Sequence, residues 1–426
     1  MNILLKNGFV IDPANMIEER LDLLIAEGKI AQFIKPGDQS FNAKVIDVSG
    51  KWIVPGLIDM HVHLREPGFE YKETITTGMA AAQTGGFTSV CCMPNTNPVN
   101  DDPSVTRFIH DKAQEGSVHV FPIGAITKGS LGKELADLQA LHQAGCVGFS
   151  DDGKPVMDSD MMQHAMREAL KLGLLIISHC EDTGLVAGGV MHDGVVARKL
   201  GLKGIPAEAE ETMVAREIAL AQLTGCRVHI AHVSTEGSVQ LVRDAKANGI
   251  SITAETCPHY FTLTDEAVLD HGTLAKMNPP LRTANDVAAI KQGLKDGTID
   301  VIATDHAPHA EYEKAESFSK APFGIVGLET CLGLAMKLVE ERILSRSDMI
   351  AKMTINPAKV LRLHKGTLTL GADADITIID PEKKWVVDAS KFKSKSHNTP
   401  FNGWNMTGKA VFTMRGGAVF ADSIKD

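Results

Sequence analysis

His61 and His63 lie two residues apart at the end of an apolar run, Gly56-Leu-Ile-Asp-Met-His-Val-His63. On an extended strand that spacing points both imidazoles the same way, so one face can offer two nitrogens to one metal ion. The plainer alternative is a polar strand end. Similar residues close other apolar runs: Asp151 and Asp152, His179, His232 and Asp305. Four histidines and a carboxylate or two make a nitrogen–oxygen donor set of the kind that binds hydrolytic metals. Six candidates are too many for one tetrahedral ion and suit two ions sharing a bridging group. Taken singly, each also reads as a hydrogen-bonded core side chain. The coincidence of ligand types at five strand ends is what carries the metal reading.

That coincidence depends on how the chain is laid out. The middle alternates strand and helix signals. Trp52–His63 reads as a strand and Glu73–Thr84 as a helix closed by Gly85-Gly86. Phe87–Met93 is a second strand, followed by a helix opened by Asp102-Pro103. His119–Thr127, Cys146–Ser150, Leu174–Ser178, Arg227–His232, Ile250–Glu255 and Ile299–Ala303 follow as strands. Helices are expected at Leu135–Gln143, after a cap at Asp158 or Ser159, and at Glu208–Leu223, whose acidic start reads as a solvated face. Near-continuous apolar strands suit a parallel sheet covered on both faces. Eight of them predict a (β/α)8 TIM barrel, residues 56–364, whose functional residues sit at the C-terminal strand ends. A doubly wound sheet would carry a Gly-rich phosphate turn after its first strand, and none is present.

Both ends of the chain have a different texture. Ile3–Ile11, Leu21–Ile25 and Lys29–Ile34, then Asp375–Asp380, Trp385–Asp388 and Lys409–Met414, read as short strands between turns. They predict one small β-sandwich domain built from residues 1–55 and 365–426.

Composition narrows the function. A net charge of -10 and 5% aromatic residues argue against a nucleic-acid partner or an anionic membrane surface. They leave room for a small anionic substrate, since a metal ion and an arginine reverse the field locally. The seven cysteines form no CxxC pair and read as buried thiols of a cytoplasmic protein. No signal-peptide pattern opens the chain and no apolar run reaches membrane-spanning length.

Pro55-Gly-Leu-Ile-Asp-Met-His-Val-His63, His179, His232 and Ala303-Thr-Asp-His-Ala-Pro-His309 resemble the amidohydrolase superfamily. Leu64-Arg-Glu-Pro-Gly68, Met93-Pro-Asn-Thr96, Gly148-Phe-Ser-Asp-Asp-Gly153 and Lys276-Met-Asn-Pro-Pro-Leu-Arg282 resemble its bacterial class I dihydroorotases. The likeness spans nearly the whole chain. It departs at strand four, where many relatives carry a metal-bridging lysine and this chain has Val147-Gly-Phe-Ser150.

The resemblance implies two zinc ions. His61, His63 and Asp305 would hold the first, His179 and His232 the second, with Asp152 as the bridge; spacing alone does not separate Asp152 from Asp151. It implies Asp305 as general base, then general acid, and Arg65, with His63, Asn95, Asn278, His309 and backbone at Phe323-Gly324, as substrate contacts. The implied reaction interconverts N-carbamoyl-L-aspartate and L-dihydroorotate in pyrimidine synthesis. A hydantoinase or allantoinase is the neighbouring alternative, against which Arg65 and Met93–Thr96 weigh. A homologue serving only as a partner of aspartate transcarbamoylase is another, but every ligand position is filled. A homodimer and a transcarbamoylase complex are the implied partners. His259 and His306 read as structural, Cys91-Cys92 as packing, and Glu311–Pro322 as a polar, mobile loop, either a lid or simply solvated.

Overall fold

The computed structural model describes residues 2–37, 41–114 and 116–424. Parallel pairing begins at Leu57–Val62, which pairs with Phe87–Cys92, which in turn pairs with His119–Pro122. Leu175–Ser178, Arg227–Ile230, Ile252–Thr256 and Val301–Ile302 form a second parallel run. Residues 147–150 join the two runs. Val147 N–H donates to the Pro122 carbonyl (3.1 Å) and Ser150 N–H to that of Gly124 (2.9 Å). On the other side Phe149 N–H donates to Leu175 O (3.2 Å) and Ile177 N–H to Phe149 O (2.8 Å). A parallel bridge between Val62 and His306 leads back to the first strand. Of the strands expected there, Ile299–Ala303 shortens to Val301–Ile302, and Cys146–Ser150 forms no regular strand but joins its neighbours through isolated bridges at Phe149.

Trp52–His63 is not one strand. Trp52–Pro55 pairs with Ile376–Val386 and Phe9–Asp12 in a different sheet. Gly56 makes the transfer: its N–H donates to Asp375 O at 2.8 Å. A Cβ there would fall 2.0 Å from Thr88 Oγ1, so no larger residue fits where the sheets meet.

Local caps set the helix bounds. Thr74 caps Ile75–Gly85 and Gly86 ends it in the left-handed region. The expected start at Glu73 moves inward because Thr74, in extended backbone, takes the cap, its hydroxyl accepting from Thr77 N–H at 3.1 Å. The Glu73 carboxylate accepts from Lys395 N–H at 3.0 Å and from the Ser394 hydroxyl. Asp158, not Ser159, caps Ser159–Lys171, accepting from Met161 N–H at 2.8 Å. The acidic opening of Glu208–Thr224 is not a purely solvated face. Glu210 is buried and accepts from the N–H groups of Ser234 (3.0 Å) and Thr235 (3.3 Å), fixing the turn beyond the strand that leads to His232.

The termini supply two further sheets. One is six-stranded, running from Ala418–Asp422 through Ile376–Val386 to Ile17–Arg20; the other is four-stranded around Asp22–Ala26 and Ile3–Lys6. Leu5, Val10, Leu23, Ile53, Ile378 and Phe412 share one apolar cluster between them. All seven cysteines are buried free thiols. Among the described residues no helix is long and apolar enough to cross a membrane.

Candidate metal centre and substrate pocket

The strand ends converge as the spacing implies. Asp152 lies between two histidine pairs: its Oδ1 is 3.4 Å from His61 Nε2, 3.6 Å from His179 Nδ1 and 3.6 Å from His232 Nε2. Its Oδ2 is 3.5 Å from His63 Nε2. Two groups therefore share one carboxylate, His61–His63–Asp152 and Asp152–His179–His232, each with its donor atoms within 4.8 Å of one another. Asp305 Oδ1 stands 3.0 Å from His63 Nε2 and 3.6 Å from His61 Nε2, on the side of the first group.

These residues fit cations. Among the described residues, His61 Nε2 and Asp152 Oδ1 are buried without a hydrogen-bond partner, a costly condition that a metal ion relieves. Charge points the same way. Burial opposes protonation of His61 and His179, yet Asp152 with Glu255 outweighs it at His61 and Asp152 with Glu181 at His179. His61 is held well above the usual imidazole range and His179 is raised to about 10. Burial likewise pushes Asp152 and Asp305 upward, but the surrounding histidines overcome it and hold both below the usual carboxylate range. The cluster calls for positive charge at its centre, which protons or metal ions can supply.

Asp151 has a different task. It accepts from the N–H groups of Ile126 (2.8 Å) and Thr127 (3.1 Å) and from the Thr127 hydroxyl, and burial raises it to about 6. It fixes the preceding segment and stands outside both ligand groups.

A cavity of about 340 Å³ opens over the cluster. His63, Arg65, Asn95, Asn278, His309, Phe323 and Gly324 all line it, with Asp152, His179, His232 and Asp305. His61 is fully buried behind them. Arg65 follows His63 on what an ideal strand would make the opposite face, and its φ of 63° turns it back toward the pocket. His232 (φ 36°) and Asp305 (φ 47°) also occupy the left-handed region, where non-glycine residues carry strain that clusters at functional sites. Arg65 Nε donates to Pro308 O at 3.1 Å. His309 Nε2 is 2.7 Å from Phe323 O, so that nitrogen carries the proton; burial and the Arg65 charge hold His309 far below its usual range and keep it neutral. Gly324 has φ 122°, and a Cβ there would meet that of Ala307 at 2.6 Å.

Several residues escape a reading of strand ends alone. Glu255 Oε1 lies 2.5 Å from His61 Nδ1, and its Oε2 lies 3.3 Å from His229 Nε2. Glu181 accepts from Asn278 Nδ2 at 2.9 Å. Both end or follow predicted strands, the signal that could have found them. His259 is buried outside both ligand groups, and His306 accepts from Gly327 N–H at 3.1 Å, each consistent with a structural part. The segment after Glu311 departs from expectation. Lys314 is buried, and its ammonium donates to the carbonyls of Lys276 (3.2 Å), Pro322 (2.9 Å) and Gly324 (3.0 Å), tying the loop down.

Solved structures share this architecture. L-hydantoinase from Arthrobacter aurescens, 27% identical, superposes with a TM-score of 0.89 over 99% of this chain and 96% of its own. A dihydropyrimidinase from Brevibacillus agri, 23% identical, gives 0.86 over 100% and 96%. The chain shares the fold of these cyclic amide hydrolases. Residues 50–238 match the family described as dihydro-orotase-like. Proteins named dihydroorotase from Pelotomaculum thermopropionicum and Geotalea daltonii are 58% and 55% identical to it, each over 98% of this chain and at least 98% of their own. The chain belongs to the dihydroorotase family.

Proposed function

We propose that the protein is a zinc-dependent dihydroorotase of bacterial class I, within the amidohydrolase superfamily, interconverting N-carbamoyl-L-aspartate and L-dihydroorotate. The closed run of parallel pairings supports a (β/α)8 barrel over residues 56–364, and the two terminal sheets a flanking sandwich. The single observation carrying the function is one cavity in which Asp152, shared by two histidine pairs, faces a half-buried arginine.

His61, His63 and Asp305 would hold one zinc ion, His179 and His232 a second, and Asp152 both. When bound, such ions acidify water and polarise a carbonyl. The chain's own groups do the rest. Arg65 binds the substrate carboxylate, the arginine fork matching its two oxygens, and Asn95 and His309 are further substrate contacts. Asn278 and the Phe323–Gly324 backbone hold the ring. Asp305 takes a proton from the attacking water as the new C–O bond forms. It returns that proton to the ring nitrogen as the C–N bond breaks, and the reverse sequence closes the ring.

The test is metal removal and restoration. Chelated protein should lose dihydroorotate hydrolysis and regain it with added zinc. Full activity in metal-free protein, or no dihydroorotate turnover by loaded protein, would overturn the proposal.

A further inference from the structure

The pocket is completed from an unexpected part of the chain. Asn398 lies far beyond the last parallel strand, within the stretch assigned by sequence to the terminal sheets. Yet its side chain is buried beneath the pocket wall. Its Oδ1 accepts from His309 N–H at 3.2 Å, and its Nδ2 donates to Ala307 O at 3.1 Å and Gly324 O at 3.1 Å. Its own carbonyl accepts from Val326 N–H at 3.0 Å.

We infer that Asn398 is a positioning residue for substrate binding, fixing the backbones of His309 and Gly324 relative to each other. This rests on the proposed function, in which both contact the substrate. Only a primary amide of this length meets the three demands at once, two donors toward carbonyls and one acceptor toward an N–H. The cross-links extend outward from it. Pro308 O, one residue before His309, accepts from Arg65 Nε, and Phe323 O, one residue before Gly324, lies against His309 Nε2. The amide thus ties together the anion-binding arm and the ring-binding backbone. Its hydrogen bonds among the described residues reach none of the proposed metal-ligand side chains, so its loss acts on substrate affinity rather than on metal retention.

The flanking segment holds Asn398 in place by separate bonds. Ser396 Oγ donates to Lys72 O at 2.7 Å, and Lys395 N–H donates to Glu73 at 3.0 Å. Ser396→Ala is therefore a structural control, loosening the strap while leaving the amide.

The experiment uses zinc-loaded full-length protein with two readouts: equilibrium binding of orotate, and KM and kcat for dihydroorotate. Asn398→Asp keeps the acceptor but turns a carboxylate oxygen toward two carbonyls; Asn398→Ser is a milder variant should the first misfold. Each should raise the orotate Kd and KM by about tenfold or more, with kcat within about threefold and zinc content unchanged. Ser396→Ala should lower the melting temperature without moving Kd. If wild type binds orotate and Asn398→Ser binds it equally well, the inference falls alone. The same holds if zinc is lost together with affinity. If wild type neither binds orotate nor turns over dihydroorotate, the proposed function falls and takes this inference with it.

Discussion

Glu255 Oε1 sits 2.5 Å from His61 Nδ1, though the two residues are 194 positions apart in the chain. A carboxylate there holds the proton on Nδ1 and leaves Nε2, the unpartnered atom, directed at Asp152. Glu255→Gln should weaken zinc retention about 10- to 100-fold while the protein stays folded. Zinc content after dialysis against graded chelator measures this; unchanged retention would remove Glu255 from the metal's support.

The neighbouring aspartates should separate cleanly. Asp152→Asn removes the carboxylate shared by the two histidine pairs and should abolish activity and most bound zinc. Asp151→Ala leaves the Ile126 and Thr127 N–H groups unpaired, so it should cost about 2 kcal/mol of stability and leave the zinc in place. Metal analysis and chemical denaturation on both variants make the comparison.

Acid stability should depend on Asp375. Burial alone would raise its pKa, but His119 and Lys365 outweigh that and hold it at about 2. Its folded pKa lies below the unfolded value, so its stabilisation is complete above about pH 4 and disappears as pH falls toward 2. The stability difference between wild type and Asp375→Asn should shrink over that window. Denaturant titrations at stepped pH would show it, and a constant difference would contradict it.

Lys314 should act on the loop it ties down. Lys314→Met removes the donor to three carbonyls, Gly324 among them. Chymotrypsin should then cut near Tyr312 or Phe318 faster than in wild type, and KM should rise by about three- to tenfold. Equal cleavage rates would indicate a loop held by other means.

Much of the candidate metal cluster was legible because each member closes an apolar strand, and a parallel sheet brings such ends together. His61, His63, Asp152, His179, His232 and Asp305 all meet where that rule puts them. Arg65 could be placed only loosely, since its direction depends on a positive φ that no periodicity encodes. Glu255, Glu210 and Asn398 were harder. Their roles rest on bonds to segments far away in the chain, and each sits in a run whose local chemistry has an ordinary explanation. The Glu311–Pro322 loop, which reads as polar and mobile, departs for a related reason. A polar loop looks solvated until backbone carbonyls gather around one of its ammonium groups.

The most direct measurement is kcat/KM for L-dihydroorotate beside dihydrouracil, which has the same ring without the carboxylate, using one zinc-loaded preparation. A pocket built around Arg65 should favour dihydroorotate by at least about a thousandfold, because dihydrouracil leaves that arginine unpaired. Equal or faster turnover of dihydrouracil would contradict the assignment and point to the hydantoinase branch instead.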